Sequence, residues 1–193
     1  MTLNIAAAIQ AAISEPAIAP TILTASGRYF PLLAPTPADI HIEDIAHALS
    51  NLCRFTGHVR EFYSVAQHSV MVSQIVPPED ALAALLHDAS EAYVTDISKP
   101  LKPHLGGYAE IETRIMEVVL RAFGLPTCLP PSVKRADLIL LATEKRDLMP
   151  EHGDDWDLIR DMPRLQEQIV PLPPRAARAR FIDRFCQLYR RSS

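Results

Sequence analysis

The number and positions of the prolines constrain the fold of this chain more than any other feature of its sequence. Seventeen prolines stand against six glycines, and the Pro-containing joints separate stretches whose apolar residues recur at helical spacing. No stretch alternates apolar and polar residues in the way that a half-buried strand does. The pattern therefore predicts an all-α fold, a compact helical bundle. The predicted helices cover residues 3–14, 42–53, 64–76, 78–93, 108–123, 132–148 and 175–190.

Several helix ends carry recognisable signals. Ser64 followed three residues later by Gln67 is a capping-box pattern, and Ser132 is a second candidate N-cap. Pro78 suits a first helical turn, and Gly124 is a natural stop. The last helix is expected to turn its large apolar residues inward; these are Phe181, Ile182, Phe185 and Tyr189.

The length of 193 residues suits one domain with a sizeable core. We divide it into an N-terminal apolar helical extension at 1–25 and a single domain at 26–193, with its core at 38–148. Residues 150–174 are expected to form an ordered, Pro-rich connection of low helicity. The first 23 residues lack a basic start and are broken by prolines, so neither a signal peptide nor a membrane helix is predicted.

Charge and cysteine usage narrow the class of protein. A net charge of −4 argues against a surface that binds a nucleic-acid polymer, but a small anionic ligand needs only two or three local cations. The three cysteines, Cys53, Cys128 and Cys186, are widely spaced and odd in number, which favours reduced thiols over a disulfide framework. We expect a cytoplasmic protein with no membrane partner.

Four residues form a candidate metal site: His68, His87, Asp88 and Asp137. Any one of them is as readily an ordinary core or surface residue. Asp137, however, lies within the apolar stripe of its predicted helix, where an unpaired carboxylate would be costly. A mixed imidazole and carboxylate set suits Mn, Fe, Co, Ni or Zn better than a thiolate-bound structural zinc. We therefore predict one divalent transition metal.

Acidic residues that could serve catalysis follow the His-Asp pair. Glu91 lies one helical turn after His87 and Asp88, and Asp96 follows at the predicted helix exit. One carboxylate could deprotonate a nucleophile while the other protonates a leaving oxygen or holds a sugar hydroxyl. The alternatives are a solvated helix-end charge for Glu91 and an Asp96 that bonds its own backbone.

Cationic and aromatic residues supply candidate substrate contacts. Arg54, Lys99 and Lys102 bracket the acidic residues in sequence, and Arg can grip a phosphate with two hydrogen bonds. Phe55 could form one wall of a base pocket. The alternative for Arg54 is a charge that caps the C-terminus of the preceding helix.

On these residues the chain resembles the HD-domain metal-dependent phosphohydrolases, and among them the compact bacterial 5′-deoxynucleotidases and small phage nucleotide phosphohydrolases. The likeness spans roughly 38–148. Its motifs are Arg54 in LCRFTGHVREFYSVAQHS, His68, the string HDASE at 87–91, Asp96 in TDISKPLK, and Lys134-Arg135-Ala136-Asp137. HDASE followed five residues later by Asp is far more specific than the His-Asp pair alone.

The resemblance implies metal ligands at His68, His87, Asp88 and Asp137. It also implies that Glu91 handles the attacking water and that Arg54 and Asp96 contact substrate, in a direct in-line attack on phosphorus without a phosphoenzyme. Bound metal can bring the pKa of water from ~16 toward ~7. A second ion, Mg²⁺ or Mn²⁺, could arrive with the substrate phosphates.

The sequence departs from that family at two points. The spacing from Arg54 to His68 is about one residue shorter than expected, and Phe55 stands where a larger indole ring is expected. Both leave base selectivity open.

The substrate expected is a (deoxy)nucleotide, either a 5′-monophosphate or a triphosphate such as dATP. Alternatives are a non-catalytic nucleotide-binding module and, lower in rank, an alarmone or cyclic-dinucleotide phosphodiesterase, since Gly106-Gly107-Tyr108 is not a Gly-Tyr-Pro motif. A homo-oligomer, a dimer or higher, is also expected.

Overall fold

The structure is a computed structural model that describes residues 19–154 and 156–189. In that part of the chain the architecture is mostly helical, as predicted. Its α-helices are α1 (Ile42–Asn51), α2 (Val65–Ile75), α3 (Ala81–Leu85), α4 (Glu91–Val94), α5 (Tyr108–Ala122), α6 (Pro131–Leu148) and α7 (Pro174–Tyr189). Short 3-10 turns lie at Pro37–Asp39, Arg54–Gly57, Pro78–Asp80, Lys102–His104 and Asp157–Ile159. The helix predicted at 3–14 lies outside the described residues.

Helix α2 lies at the centre of the bundle and contacts α1, α3, α6 and α7. It begins where the capping pattern predicts, since the Ser64 hydroxyl accepts a hydrogen bond of 3.2 Å from the Gln67 backbone N–H. That cap satisfies one of the free N–H groups at the helix start. Among the described residues, no helix is long and apolar enough to cross a membrane.

A β-hairpin is the first departure from the all-α prediction. Strands β1 (Thr21–Leu23) and β2 (Tyr29–Pro31) pair antiparallel, with Ile22 opposite Phe30. Strands of three residues are too short to show the alternation by which a strand is recognised in sequence. The hairpin also crosses the division predicted between 1–25 and 26–193.

The hairpin is tied to the bundle at two points. Ser26 donates to the Asp44 carboxylate through its backbone N–H (2.8 Å) and its hydroxyl (2.7 Å). Phe30 is buried and stacks on Tyr93, with 3.8 Å between ring centroids. The hairpin therefore packs against α4 through this pair of rings.

The predicted helix at 78–93 is wrong in its continuity. Helix α3 ends at Leu85, residues 86–90 form turns, and α4 begins at Glu91. In the turns the hydrogen bonds tighten to three-residue spacing, from Ala89 N–H to Leu86 C=O and from Glu91 N–H to Asp88 C=O. Asp88 and Ser90 favour such turns because their short polar side chains can hydrogen-bond to nearby backbone groups in place of the helical hydrogen bonds. The His-Asp pair therefore lies in a break between helices.

Three smaller differences concern helix ends and faces. Helix α6 begins at Pro131, after an N-cap at Pro130, rather than with Ser132 as the cap. Gly124 adopts φ 70° just after α5, as its predicted role as a stop requires. On α7, Phe181 and Phe185 are buried. Tyr189 stacks on Phe185 with 5.1 Å between ring centroids but is 39% exposed, so it lies at the edge of the core rather than inside it.

Over its described residues, 150–154 and 156–174, the predicted connection contains little helix and packs on the bundle. Two of its backbone N–H groups donate hydrogen bonds to side chains of α6. The Leu165 N–H donates to the Thr143 hydroxyl (3.0 Å), and the Ile169 N–H donates to the Asp147 carboxylate (2.9 Å). Gln67 holds it to α2 by accepting from the Leu172 N–H at 2.8 Å. The connection is therefore fixed against the helices that carry the candidate site.

Candidate metal centre

The four predicted metal ligands converge. Ligand atoms of His68, His87 and Asp137 all lie within 4.8 Å of one another, with His68 Nε2 at 3.4 Å from Asp137 Oδ1. Asp88 Oδ2 completes the group, at 3.6 Å from His68 Nε2 and 3.2 Å from His87 Nε2. Residues far apart along the chain thus face one small volume.

Three elements bring these residues together. His68 lies in the first turn of α2 and is fully buried. His87 and Asp88 come from the break between α3 and α4, and Asp137 comes from α6. Asp137 is 24% exposed, so the cluster is buried on the His68 side and open towards solvent on the carboxylate side.

Both imidazole rings are oriented through Nδ1. His68 Nδ1 lies 2.6 Å from Glu144 Oε1, and His87 Nδ1 lies 2.8 Å from the Ala84 carbonyl. A carboxylate and a carbonyl only accept, so each Nδ1 carries the proton and donates it. The Nε2 atoms are left facing the cluster, and both are buried without a hydrogen-bond partner among the described residues. This arrangement, with Nδ1–H fixed and Nε2 directed inward, is typical of metal-binding histidines.

Glu144 belongs to the candidate site although it is not among the predicted site residues. It is fully buried on α6, two turns after Asp137, and its second oxygen accepts from Arg54 Nη2 at 3.0 Å. The sequence signal was its place on the same apolar stripe as Asp137. A buried carboxylate there needs partners, and the structure supplies His68 and Arg54.

The electrostatics of the cluster favour a cation. Burial opposes charge on Asp137, yet the adjacent His68 keeps the pKa of Asp137 below its usual range. Burial and Arg54 disfavour a charged His68, but Glu144 and Asp137 outweigh them and raise the pKa of His68 to about 9. The negative charge around His68 therefore favours a cation at this position, either a second proton on the ring or a metal ion. The site prefers positive charge between its carboxylates.

Arg54 enters the site and does not cap α1. That helix ends at Asn51, whereas the Arg54 guanidinium contacts Glu144 at 3.0 Å and Asp88 Oδ2 at 3.7 Å. Although burial opposes its charge, Glu144 and Asp88 raise the pKa of Arg54, so it stays cationic.

Phe55 and Thr56, which follow Arg54, both adopt left-handed backbone conformations with φ 55°. For residues other than Gly this conformation costs roughly 1–2 kcal/mol each. Such strain is typical of functional sites. The turn therefore holds the Arg54–Phe55 pair in place at an energetic cost.

The amino-acid sequence of this chain is similar to sequences of known bacterial proteins. It is 46% identical over 168 residues to the uncharacterized protein YfdR of Escherichia coli, a match that covers 86% of this chain and 94% of YfdR. The chain belongs to the YfdR family. An uncharacterized protein of Rhodobacter capsulatus is 44% identical over 121 residues, covering 58% of this chain and 62% of that protein. No family model matches the sequence.

In this member of the YfdR family, the two predicted catalytic acids lie beside the cluster. Burial and the charges of Asp88 and Asp96 raise the pKa of Glu91 well above its usual range. Glu91 Oε2 is buried and has no hydrogen-bond partner in the described part of the chain. Burial also raises the pKa of Asp96, with Asp88 adding to the effect and Arg54 opposing it. Both acids can therefore exchange protons nearer neutral pH than an ordinary carboxyl.

The predicted lysines divide into two positions. Lys102 donates to Glu112 at 2.7 Å and lies 3.8 Å from Glu91, so it belongs to the acidic side of the site. Lys99 lies at the surface, and partial desolvation of its ammonium group, together with the neighbouring Lys134, lowers its pKa. Lys134 in turn lies 3.4 Å from Asp137 Oδ2. Lys99 and Lys134 therefore both lie on the Asp137 side of the cluster.

Proposed function

We propose that the chain is a metal-dependent phosphohydrolase of the HD superfamily that hydrolyses (deoxy)nucleotides at a 5′-phosphate. The observation that carries this proposal is the pair of buried, unpartnered Nε2 atoms of His68 and His87, which face the carboxylates of Asp88 and Asp137. Buried polar atoms are rarely left without a partner unless a ligand or ion supplies one.

The donor set fits one divalent transition ion, Mn, Fe, Co, Ni or Zn, because it mixes two imidazoles with two carboxylates. Such an ion would supply Lewis acidity, which makes hydroxide available near neutral pH and neutralises charge on a phosphate. His68, His87, Asp88 and Asp137 would hold it, with Glu144 and the Ala84 carbonyl fixing the two rings.

The acids give the site its proton chemistry. Glu91, through its unpartnered Oε2, takes a proton from the attacking water as oxygen bonds to phosphorus. The P–O ester bond breaks as the leaving oxygen receives a proton, which Asp96 supplies. A raised pKa suits both tasks, because a general acid or base works best when its pKa lies near the working pH.

The cations orient the phosphate. Arg54 is held by Glu144 and points its other amino group at Asp88, so it presents a fixed positive charge beside the cluster. Lys99 and Lys134 offer mobile charges on the Asp137 side. We also propose a cytoplasmic enzyme, since Cys53, Cys128 and Cys186 are all free thiols.

A hydrolysis screen tests this function. Purified protein, loaded in turn with each of the five metals, is assayed against all deoxynucleoside and ribonucleoside mono-, di- and triphosphates. Release of nucleoside with phosphate identifies a monophosphatase, and release of nucleoside with tripolyphosphate identifies a triphosphohydrolase. His87→Ala should lose metal and activity together, whereas His47→Ala, at an exposed histidine of α1, should keep both. Full turnover by metal-free protein, or tight nucleotide binding with no hydrolysis of any substrate, would contradict the proposal.

A further inference from the structure

The single tryptophan of the chain lies next to the candidate site, in a segment whose sequence carries no functional signal of its own. The Trp156 and Phe55 rings are 6.3 Å apart between centroids and inclined by 50°. Trp156 is 37% exposed, although it is a large apolar residue. The two rings therefore contact each other and are partly open to solvent; Phe55 together with Trp156 is called the aromatic wedge.

Helix α6 holds the indole in position. The Lys145 ammonium lies 5.4 Å from the centroid of the Trp156 ring, a cation–π distance, and it also bonds the Asp154 carbonyl. Lys145 directly follows Glu144, which fixes His68. On its other side Trp156 is continuous with the 3-10 turn Asp157–Ile159, whose Ile159 is buried. The wedge is thus built on the helix that carries the candidate ligand Asp137.

The other wall of the wedge is held by strained backbone. Phe55 adopts φ 55° and ψ 32°, a conformation that an aromatic residue rarely takes. Its ring lies 5.2 Å from the Arg54 guanidinium carbon, and Arg54 contacts Asp88 at 3.7 Å. A chain of contacts therefore runs from the cluster through Arg54 to the two rings. A nucleotide has the same order of parts, with phosphate at one end and base at the other.

We propose that Phe55 and Trp156 receive the nucleobase of the substrate, so that nucleotides are preferred over simple sugar phosphates. The inference deepens the proposed function and rests on it for the position of the phosphate. Every base has an aromatic face, so stacking on such rings tolerates different bases. The wedge therefore selects for the presence of a base and discriminates only weakly among bases.

Fluorescence of the lone tryptophan gives a binding measurement that does not depend on catalysis. Metal-loaded Glu91→Gln protein, in which turnover is suppressed, is titrated with deoxyadenosine monophosphate and with ribose 5-phosphate. The nucleotide should change the Trp156 emission saturably and should bind at least roughly tenfold more tightly than ribose 5-phosphate. An equal response to both ligands, or no response to the nucleotide, overturns the inference.

Kinetics of variants provide the second test. Trp156→Leu should lose about tenfold or more in kcat/KM for the nucleotide, mainly through KM, and about twofold or less for ribose 5-phosphate. Trp156→Phe should recover most of the loss, and Leu158→Ala, at an exposed residue of the adjoining turn, should behave as the parent protein. Unchanged nucleotide kinetics in Trp156→Leu overturn the inference even if the enzyme is a phosphohydrolase. Absence of hydrolysis from every substrate overturns the proposed function instead, and the fluorescence titration then still decides whether the wedge binds a base.

Discussion

Replacing Glu144 by Gln should weaken both the fold and the metal site. Glu144 is fully buried and serves two cationic partners, Arg54 at 3.0 Å and His68 Nδ1 at 2.6 Å. Without its charge, the Arg54 guanidinium, whose side chain is only 11% exposed, keeps a more distant carboxylate, that of Asp88 at 3.7 Å. Loss of one partner from a buried ion pair costs about 3–5 kcal/mol. We expect Glu144→Gln to lower the free energy of unfolding by roughly 3 kcal/mol.

The same substitution should lower metal affinity. The amide that replaces the carboxylate can still accept from His68 Nδ1 through its oxygen, but without a negative charge it no longer strengthens the ring as a metal ligand. Loss of such an orienting carboxylate typically costs about 10–100-fold in metal affinity. Affinity is measured by competition with a chelator, and stability by urea unfolding in the presence of chelator at pH 7.

The pH dependence separates this mechanism from a packing defect. Arg54 and His68 outweigh burial and lower the pKa of Glu144 in the folded protein. Its stabilisation is therefore present above the unfolded-state pKa of about 4.5 and is lost as pH falls through the lower folded-state value. The difference between parent and Glu144→Gln should shrink in acid. Glu167→Gln, at an exposed glutamate, is the matched control. If Glu144→Gln stayed within about 0.5 kcal/mol of the parent with unchanged metal affinity, the reasoning would be refuted.

Three further predictions concern the same region. In the metal-free protein the pKa of His68 is raised to about 9, so protonated His68 stabilises the fold. This stabilisation is fully present below the unfolded-state pKa near 6.5 and is lost as pH rises through 9, so the free energy of unfolding should fall by up to ~3 kcal/mol. Unfolding in chelator across this pH range tests the prediction, and a flat profile would oppose it. Thr56→Asn should raise stability by about 1 kcal/mol, because Asn tolerates the left-handed conformation and Thr56 is exposed; a lower thermal midpoint would show that the turn is not strained. Ser64→Ala should cost about 1 kcal/mol through loss of the α2 cap, and a change below a few tenths in urea unfolding would contradict that role.

Local signals explain the parts of the fold that the sequence predicts well. Caps and stops such as Ser64 and Gly124 act within one helical turn, so α2 and α5 are recognisable without tertiary information. The hairpin and the break at 86–90 are not recognisable in this way. Three-residue strands show no period, and the tightened turns lie within an apolar stretch that continues a helical pattern.

The candidate site shows the same limit. The proposed ligands carry chemistry in their side chains, so His68, His87, Asp88 and Asp137 stand out in sequence. Glu144 is marked in sequence only by its place on the apolar stripe of α6, because the two partners that bring it into the site lie 76 and 90 residues away. Trp156 lies in a connection without periodicity, and only the packing of that segment onto α6 brings it to Phe55. Long-range contacts of this kind cannot be read from spacing.

Anomalous scattering at a metal absorption edge would test the central claim most directly. A crystal of metal-loaded protein should show one anomalous peak within coordination distance, about 2.0–2.2 Å, of the Nε2 atoms of His68 and His87 and of the carboxylates of Asp88 and Asp137. Crystals of His87→Ala should lose that peak. A parent crystal with no peak there, or with the ion bound by other residues, would contradict the account.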